Sequence, residues 1–246
     1  MAKVNSTIAF ELLEHCVREE LNKKARRLMG VLDPLKVVID NYPEDEPGEM
    51  DVINNPECPE DGTRKVPFSD TLYIEKSDFM ADPPKKFYRL APGREVRFRN
   101  AYLVTCTDYV KEDGEVVELH CKLDPESRGG DAPDGRKVKS TIHWVSAKHA
   151  LDAEVRLYDK LFTMEDPLSQ KDKDFKELLN PDSLKVLKNC KVEPAVDGLK
   201  PGDRFQFERL GYFCVDKVGG EVTIINRTAT LRDTWAKIQK QQQNNK

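Results

Sequence analysis

In the stretch GREVRFRN (93–100), Arg97 and Arg99 alternate with Val96 and Phe98. In an extended strand successive side chains point to opposite faces, so Val96 and Phe98 face a core. The two guanidiniums then share the other face, about 7 Å apart at the strand rise. Cations at that spacing repel unless an anion sits between them. That anion is either a carboxylate of the same chain or a phosphate from a partner. The longer run KKFYRLAPGREVRFR (85–99) carries six basic residues against one acid, Glu95, with Phe87, Tyr88 and Phe98 interleaved. Basic residues mixed with aromatics suit single-stranded RNA, whose bases stack on rings while arginines meet phosphates or base edges. A solvated strand face laced with salt bridges has the same composition. Composition leaves both readings open.

Other chemistry finds less support. The four histidines are His15, His120, His143 and His149. No HExxH, GxSxG or GxxxxGK[ST] run is present. His143 and His149 are six apart, but no cysteine or carboxylate is spaced to complete a metal site with them. The carboxylates fall mostly in turns and loops, without a sign of the enclosing pocket that acid–base catalysis needs. We therefore expect no catalytic residue and no metal. The six cysteines (16, 58, 106, 121, 190 and 214) are irregularly spaced and form no CxxC pair, so reduced thiols are expected.

The chain has 246 residues, 38% hydrophobic and 34% charged, which suits a polar globular protein of one large or two small domains. No apolar run approaches the ~18 residues of a membrane span. The beginning, MAKVNSTIAFELLEH, lacks a signal-peptide core, so a cytoplasmic protein is expected. A net charge of −4 argues against a generic nucleic-acid coat but allows a local basic patch. Acids concentrate elsewhere, as in YPEDEPGEMD (42–51).

The elements that would position these residues are mostly strands. An opening helix is expected, capped by Ser6 or Thr7, with Leu13, Cys16, Val17 and Leu21 on one stripe. Glu14, Arg18, Glu19 and Glu20 should face outward. The helix fades into Lys23, Lys24, Arg26 and Arg27. Short β-rich runs follow in LMGVLDPLKVVIDNY, then an acidic, proline-punctuated loop to about residue 64. PFSDTLYIEKSDF, GREVRFRNAYLVTC, GEVVELHCKLD and KVKSTIHWVS read as strands, with ESRGGDAPDG (126–135) as an exposed loop. Beyond residue 151, AEVRLYDKLF, DRFQFERLGYFCVD and EVTIINRTATL are strand-like, and KDKDFKELLNPDSLKVLKN reads as polar and partly helical. Many short strands without βαβ alternation imply a mainly β fold of barrels or sandwiches. The expected division is a helical connector (1–27), a proximal β-domain (28–150), a distal β-domain (151–238) and a disordered tail (239–246).

Long collinear runs carry a resemblance. ARRLMGVLDPLKVVIDNY (25–42), GTRKVPFSDTLYIEKSDF (62–79), FRNAYLV (98–104), DGRKVKSTIHWVSAKHAL (134–151), RLYDKLF (156–162), QFERLGYFCVD (206–216) and INRTATLRDTWAK (225–237) resemble the C-terminal portion of glutaminyl-tRNA synthetases. The resemblance covers the chain from about residue 6 to 238. It implies two antiparallel β-barrels that grip the anticodon, the first similar to a ribosomal-protein family that binds 5S rRNA. The family's HIGH-like and KMSKS-like ATP-binding signatures are not in this chain. The resemblance therefore implies recognition without catalysis. ATP and Mg2+ would belong to the full-length family, and no cofactor to this chain. The implied partner is the tRNA for glutamine, bound by a monomer in cis with a catalytic half. An archaeal- or eukaryotic-type glutamyl-tRNA synthetase shares the barrels and is one alternative, and a stand-alone RNA-binding module is the other.

The resemblance also implies site residues. Arg99 in FRNAY matches a family residue at the first anticodon base, with Arg97 beside it toward phosphate. Arg89 in FYRL matches a reader of the third base. Arg27 in ARRLMGV, with Gln206 and Arg209 in QFERLGYF, matches residues around the middle base. The chemistry is consistent: an arginine fork suits the acceptors of guanine or uracil, and glutamine supplies both a donor and an acceptor. Gln206 and Arg209 would face opposite ways in a regular strand, so a bulge or bend is implied between them. Tyr88 stands where some relatives carry lysine, which exchanges a cation for a stacking surface. Lys86 stands where a glutamine can occur. Glu57 stands where an asparagine can occur and receives no binding role, because a carboxylate repels phosphate. Arg27 has a second reading, as a cation interacting with the end of the helix. The loops 43–64 and 126–135 are expected to order only in part without RNA.

Overall fold

The computed structural model describes residues 10–164, 166–169, 172–217 and 222–232. The expected caps Ser6 and Thr7 and the tail 239–246 lie outside them. The helix spans Phe10–Lys24. Its last turns bury Leu21 and pack Val17 against Ala25, Tyr212 and Ala229. Its first turns differ from expectation: Leu13 and Cys16 are exposed. Arg18, expected outside, is buried, 3.4 Å from the Glu14 carboxylate and donating to the Thr230 carbonyl at 3.3 Å. An apolar stripe is buried only where a partner surface reaches it, and among the described residues the second sheet packs on the C-terminal turns of the helix, while the first turn is met by an ion pair, Glu11 with Lys160 at 2.7 Å.

Sixteen strands among the described residues form two seven-stranded, barrel-like sheets and one hairpin. The first sheet contains Pro34–Ile39, Thr71–Glu75, Glu95–Phe98, Leu103–Glu112 and Glu115–Leu123. Its two edges are taken by Thr141–Ile142 and Val145–Ser146, two halves of one short segment. The second contains Leu151–Tyr158, Leu184–Val192, Arg204–Phe207, Gly211–Lys217 and Thr223–Ala229. Its edges are likewise taken by one segment, as Arg26–Leu28 and Gly30–Val31. A segment that pairs with both edges removes the open rims that would otherwise expose unpaired backbone groups. Both sheets mix antiparallel pairs with a few parallel ones.

The expected division between residues 27 and 28 falls inside the segment that closes the second sheet. Its side chains are shared: Leu28 enters the core with Phe205, Phe207, Phe213 and Ile225, while Met29 enters the core with Phe68, Phe98 and Trp144. Neighbouring residues of an extended segment point opposite ways, so one dipeptide locks both cores.

Two segments correct the sequence reading. Residues 43–64 are not one loop. Glu49–Ile53 pairs antiparallel with Thr63–Pro67, and Met50 and Val52 are buried on one side. Residues 184–192 are a strand paired with Leu151–Tyr158, and only Phe175–Leu178 makes a short 3-10 turn. Leu151–Tyr158 needed a partner on that edge, and tertiary pairing overrides a weak helical preference.

His120 lies on the outer face of the first sheet. Its Nδ1 is 2.9 Å from Asp40 and its Nε2 is 3.2 Å from Glu118. The hydrogen bond to Asp40, with the charge of both carboxylates, raises its pKa above the ordinary 6.5. A raised folded-state pKa stabilises fully below the unfolded value, and the gain is lost as pH rises through the folded one. His120→Gln should therefore cost more at pH 5.5 than at pH 8.5, by no more than about 1 kcal/mol for so exposed a group. Urea unfolding at the two pH values reads the difference.

Candidate nucleic-acid interface

The alternation in the opening stretch is realised. Val96 and Phe98 are fully buried in the Glu95–Phe98 strand, and the arginines lie outside. The chain itself supplies their anions. Arg97 donates from Nε to the Gly130 carbonyl, and its Nη2 lies 3.5 Å from Asp131. Asp131 is fully exposed, so this pair contributes little and Arg97 is easily released to a stronger anion. Arg99 sits just past the strand, in a turn where the Ala101 N–H donates to the Phe98 carbonyl at 2.9 Å and Asn100 adopts φ +57°. Its backbone is fixed by the Trp144 indole, which donates to the Arg99 carbonyl at 3.0 Å. Its Nε lies 2.9 Å from Glu208 of the second barrel, without hydrogen-bond alignment.

Glu208 and Arg209 occupy the turn between Arg204–Phe207 and Gly211–Lys217. The Leu210 N–H donates to the Phe207 carbonyl at 3.0 Å, and Arg209 has φ +67°. This is the bend implied between Gln206 and Arg209. The turn points Arg209 at the first barrel. Its Nη1 and Nη2 grip both oxygens of Asp78, at 2.6 and 2.7 Å, and Nη1 lies 3.2 Å from His143 Nδ1. Asp78 is fully buried. Its Oδ1 also lies 3.2 Å from Arg89, which donates to the Ser77 carbonyl at 3.1 Å. Arg89, Arg99 and Arg209 thus meet at the barrel junction. Their side chains are 43%, 36% and 27% exposed, so each has surface left for a ligand.

Behind them, His143 Nδ1 faces an arginine donor and must accept, which places its proton on Nε2. That atom is 3.6 Å from Glu75, which receives the Leu32 and Asp33 N–H groups at 2.7 and 3.2 Å. At that distance Nε2 makes no hydrogen bond to Glu75, so the hydrogen-bonded chain from the junction surface ends at His143.

The other expected residues lie apart. Sheet register sets Arg27 beside Gln206, and Gln206 beside Tyr212, in one row. Arg27 and Gln206 are buried. Arg27 donates to the Ala25 and Asn22 carbonyls at 3.0 and 2.8 Å and to the Asn22 side chain at 2.8 Å. That is the helix-end contact weighed from the sequence. Lys86 is exposed. The half-exposed Tyr88 ring carries the Lys139 ammonium 4.8 Å from its centroid. Tyr88 and Lys139 border an open depression of about 370 Å³ with Lys85, Arg94 and Lys137. Lys139, Asp78, His143 and Glu208 are the neighbours that sequence reasoning did not assign. Among the described residues no group of three His, Cys, Asp or Glu could hold a metal, and no helix is long and apolar enough to cross a membrane.

Gly211 closes the turn that carries Arg209. At φ +149° a Cβ would stand 2.7 Å from the Ala229 carbonyl oxygen of the neighbouring strand. Backbone cannot yield as a flexible side chain does, so Gly211→Ala should destabilise by about 1–3 kcal/mol, read from the urea midpoint.

Two family models, both described as tRNA synthetases class I (E and Q), anti-codon binding domain, match residues 25–124 and 141–216. Curated relatives include glutamine–tRNA ligases of Nitrobacter winogradskyi (51% identical over 240 residues) and Bradyrhizobium diazoefficiens (52% over 240). That of Rhodopirellula baltica is 51% identical over 243 residues. These matches cover 97%, 96% and 97% of this chain and 42%, 42% and 40% of the relatives. The chain thus spans about two fifths of the length of the curated relatives it matches.

Proposed function

Because the chain belongs to the anticodon-binding domain family of class I (E and Q) tRNA synthetases, we propose that it is the tRNA-reading part of a glutamine–tRNA ligase. It binds the anticodon loop of the tRNA for glutamine and makes no bond itself. ATP and Mg2+ are used by the portion of the enzyme that its relatives carry beyond the matched span. The whole acts as a cytoplasmic monomer, with this chain in cis with that catalytic half. Glutamine rather than glutamate is favoured by the relatives, which are named glutamine–tRNA ligases, and by Gln206 and Arg209 in QFERLGYF.

The observation that carries the reading is the junction. Arginines from two separate barrels, expected to face three successive bases, meet there half exposed on a chain whose net charge is negative. Arg99 takes the first base, Arg89 the third and Arg209 the middle one. Arg97 trades its weak contact with Asp131 for a phosphate. Tyr88 stacks beside the third base and Lys86 adds charge near it, while Arg27 and Gln206 reach the middle base only if RNA draws them from their buried row at the helix end.

Titration of the glutamine tRNA at low and moderate salt tests this, beside the same tRNA with a changed first anticodon base. A preference of at least tenfold that persists as salt rises supports base reading. Equal binding of both, governed by salt alone, would reduce the surface to a non-specific phosphate grip.

A further inference from the structure

We propose that Asp78 couples the reading of two anticodon positions by anchoring Arg209 and Arg89 on one carboxylate. The inference rests on the assignment of these arginines to the middle and third bases. Asp78 ends the short Lys76–Asp78 turn and is fully buried. A buried carboxylate persists as an ion only when its charge is paired and its lone pairs are filled. Three guanidinium contacts do this: Arg209 on both oxygens at 2.6 and 2.7 Å, and Arg89 on Oδ1 at 3.2 Å. The two arginines come from different barrels and share that oxygen.

The sharing has a consequence for binding. Arg209 holds φ +67°, which a non-glycine residue adopts at a cost, and its fork is fixed by Asp78 and His143. A correct third base draws on Arg89 and loosens its hold on Oδ1. Asp78 then depends more fully on Arg209, and the fork is held more firmly in its reading orientation. A wrong third base leaves Arg89 competing for the oxygen, so Arg209 meets the middle base less well fixed. Each correct base strengthens the preference for the other. A double error therefore costs less than the product of two single errors. Asp78 touches no base in this scheme, so it is a positioning residue.

The test is a binding cycle with four tRNAs: the glutamine tRNA, a middle-base variant, a third-base variant and the double variant. For the wild-type chain the double variant should bind at least about fivefold better than independent losses predict. For Asp78→Asn the two losses should multiply to within about twofold. A first-base change, met by Arg99 on Glu208, should cost the same in both proteins. A merely structural role for Asp78 would weaken all three positions alike. Should Asp78→Asn not fold, Arg89→Lys serves instead: it leaves the Asp78–Arg209 pair in place but weakens the competitor for Oδ1, so the middle-base preference should become the same, to within about twofold, whichever third base is present. Independent losses in the wild type would overturn the coupling while leaving base reading intact, and so would coupling that survives Asp78→Asn. If neither base change weakens wild-type binding, the assignment of the arginines falls, and the coupling with it.

Discussion

Glu193→Ala should destabilise the protein by about 3–5 kcal/mol, the cost of removing one partner of a buried ion pair. Glu193 follows the strand Leu184–Val192 and is almost fully buried. Its carboxylate meets the Arg64 fork at 2.7 and 2.9 Å and accepts the Met29 N–H at 3.0 Å. Its own N–H donates to the Met29 carbonyl at 3.1 Å. It therefore ties the Glu49–Ile53/Thr63–Pro67 hairpin and the segment that locks both cores to the second barrel. Alanine leaves a largely buried guanidinium without its counter-charge and a backbone donor without an acceptor. Replacing Arg64 and Glu193 together with leucine should recover much of the loss, because two desolvated charges then disappear at once. Urea unfolding of the two single variants and the double gives the comparison. A loss below about 1 kcal/mol in Glu193→Ala would mean that the pair behaves as a surface contact.

Trp144→Ala should cost a similar 3–5 kcal/mol, by a different route. Trp144 is fully buried and packs edge-on against Phe68, with ring centroids 5.1 Å apart at 84°. Phe68 in turn packs on Tyr42 and Tyr102, so the cavity opens inside an aromatic cluster that cannot easily collapse. The indole also fixes the Arg99 carbonyl. Trp144→Phe keeps most of the buried surface and gives up that bond, so it should cost less than the alanine change. The part owed to the bond is about 0.5–1.5 kcal/mol. Thermal or urea denaturation of the two variants separates packing from the hydrogen bond.

Local pattern made much of this molecule legible. Val96 and Phe98 alternate with arginines, and that alternation alone oriented the strand correctly. The turn between Gln206 and Arg209 followed from three-residue spacing combined with the expectation that both meet one base. The EMDVI alternation at 49–53 was visible too, but the prolines and acids around it masked it. What could not be read was long-range pairing. Asp78 and Arg209 are 131 residues apart, and nothing periodic links a side chain on one barrel to a side chain on another. The closing role of the segment escaped for a related reason: its β-rich character from Leu28 is legible, but strands of two and three residues carry no alternation to show which edges they join. The first turns of the helix misled because their apolar residues have no partner surface in the described structure. The two readings that composition left open for Arg97 and Arg99 turn out not to exclude each other. Their salt bridges are present, and both side chains keep exposed surface beside them.

The most direct measurement compares the wild-type chain with Arg209→Lys, on the glutamine tRNA and on the same tRNA with a changed middle anticodon base. Lysine keeps the charge at Asp78 but cannot reproduce the fork. If the junction reads the anticodon, the wild type prefers the correct base. Arg209→Lys then loses about 1–3 kcal/mol of that preference while its salt dependence stays nearly unchanged. If the variant discriminates as well as the wild type, the middle base is not read at Arg209, and the account of the barrel junction is wrong.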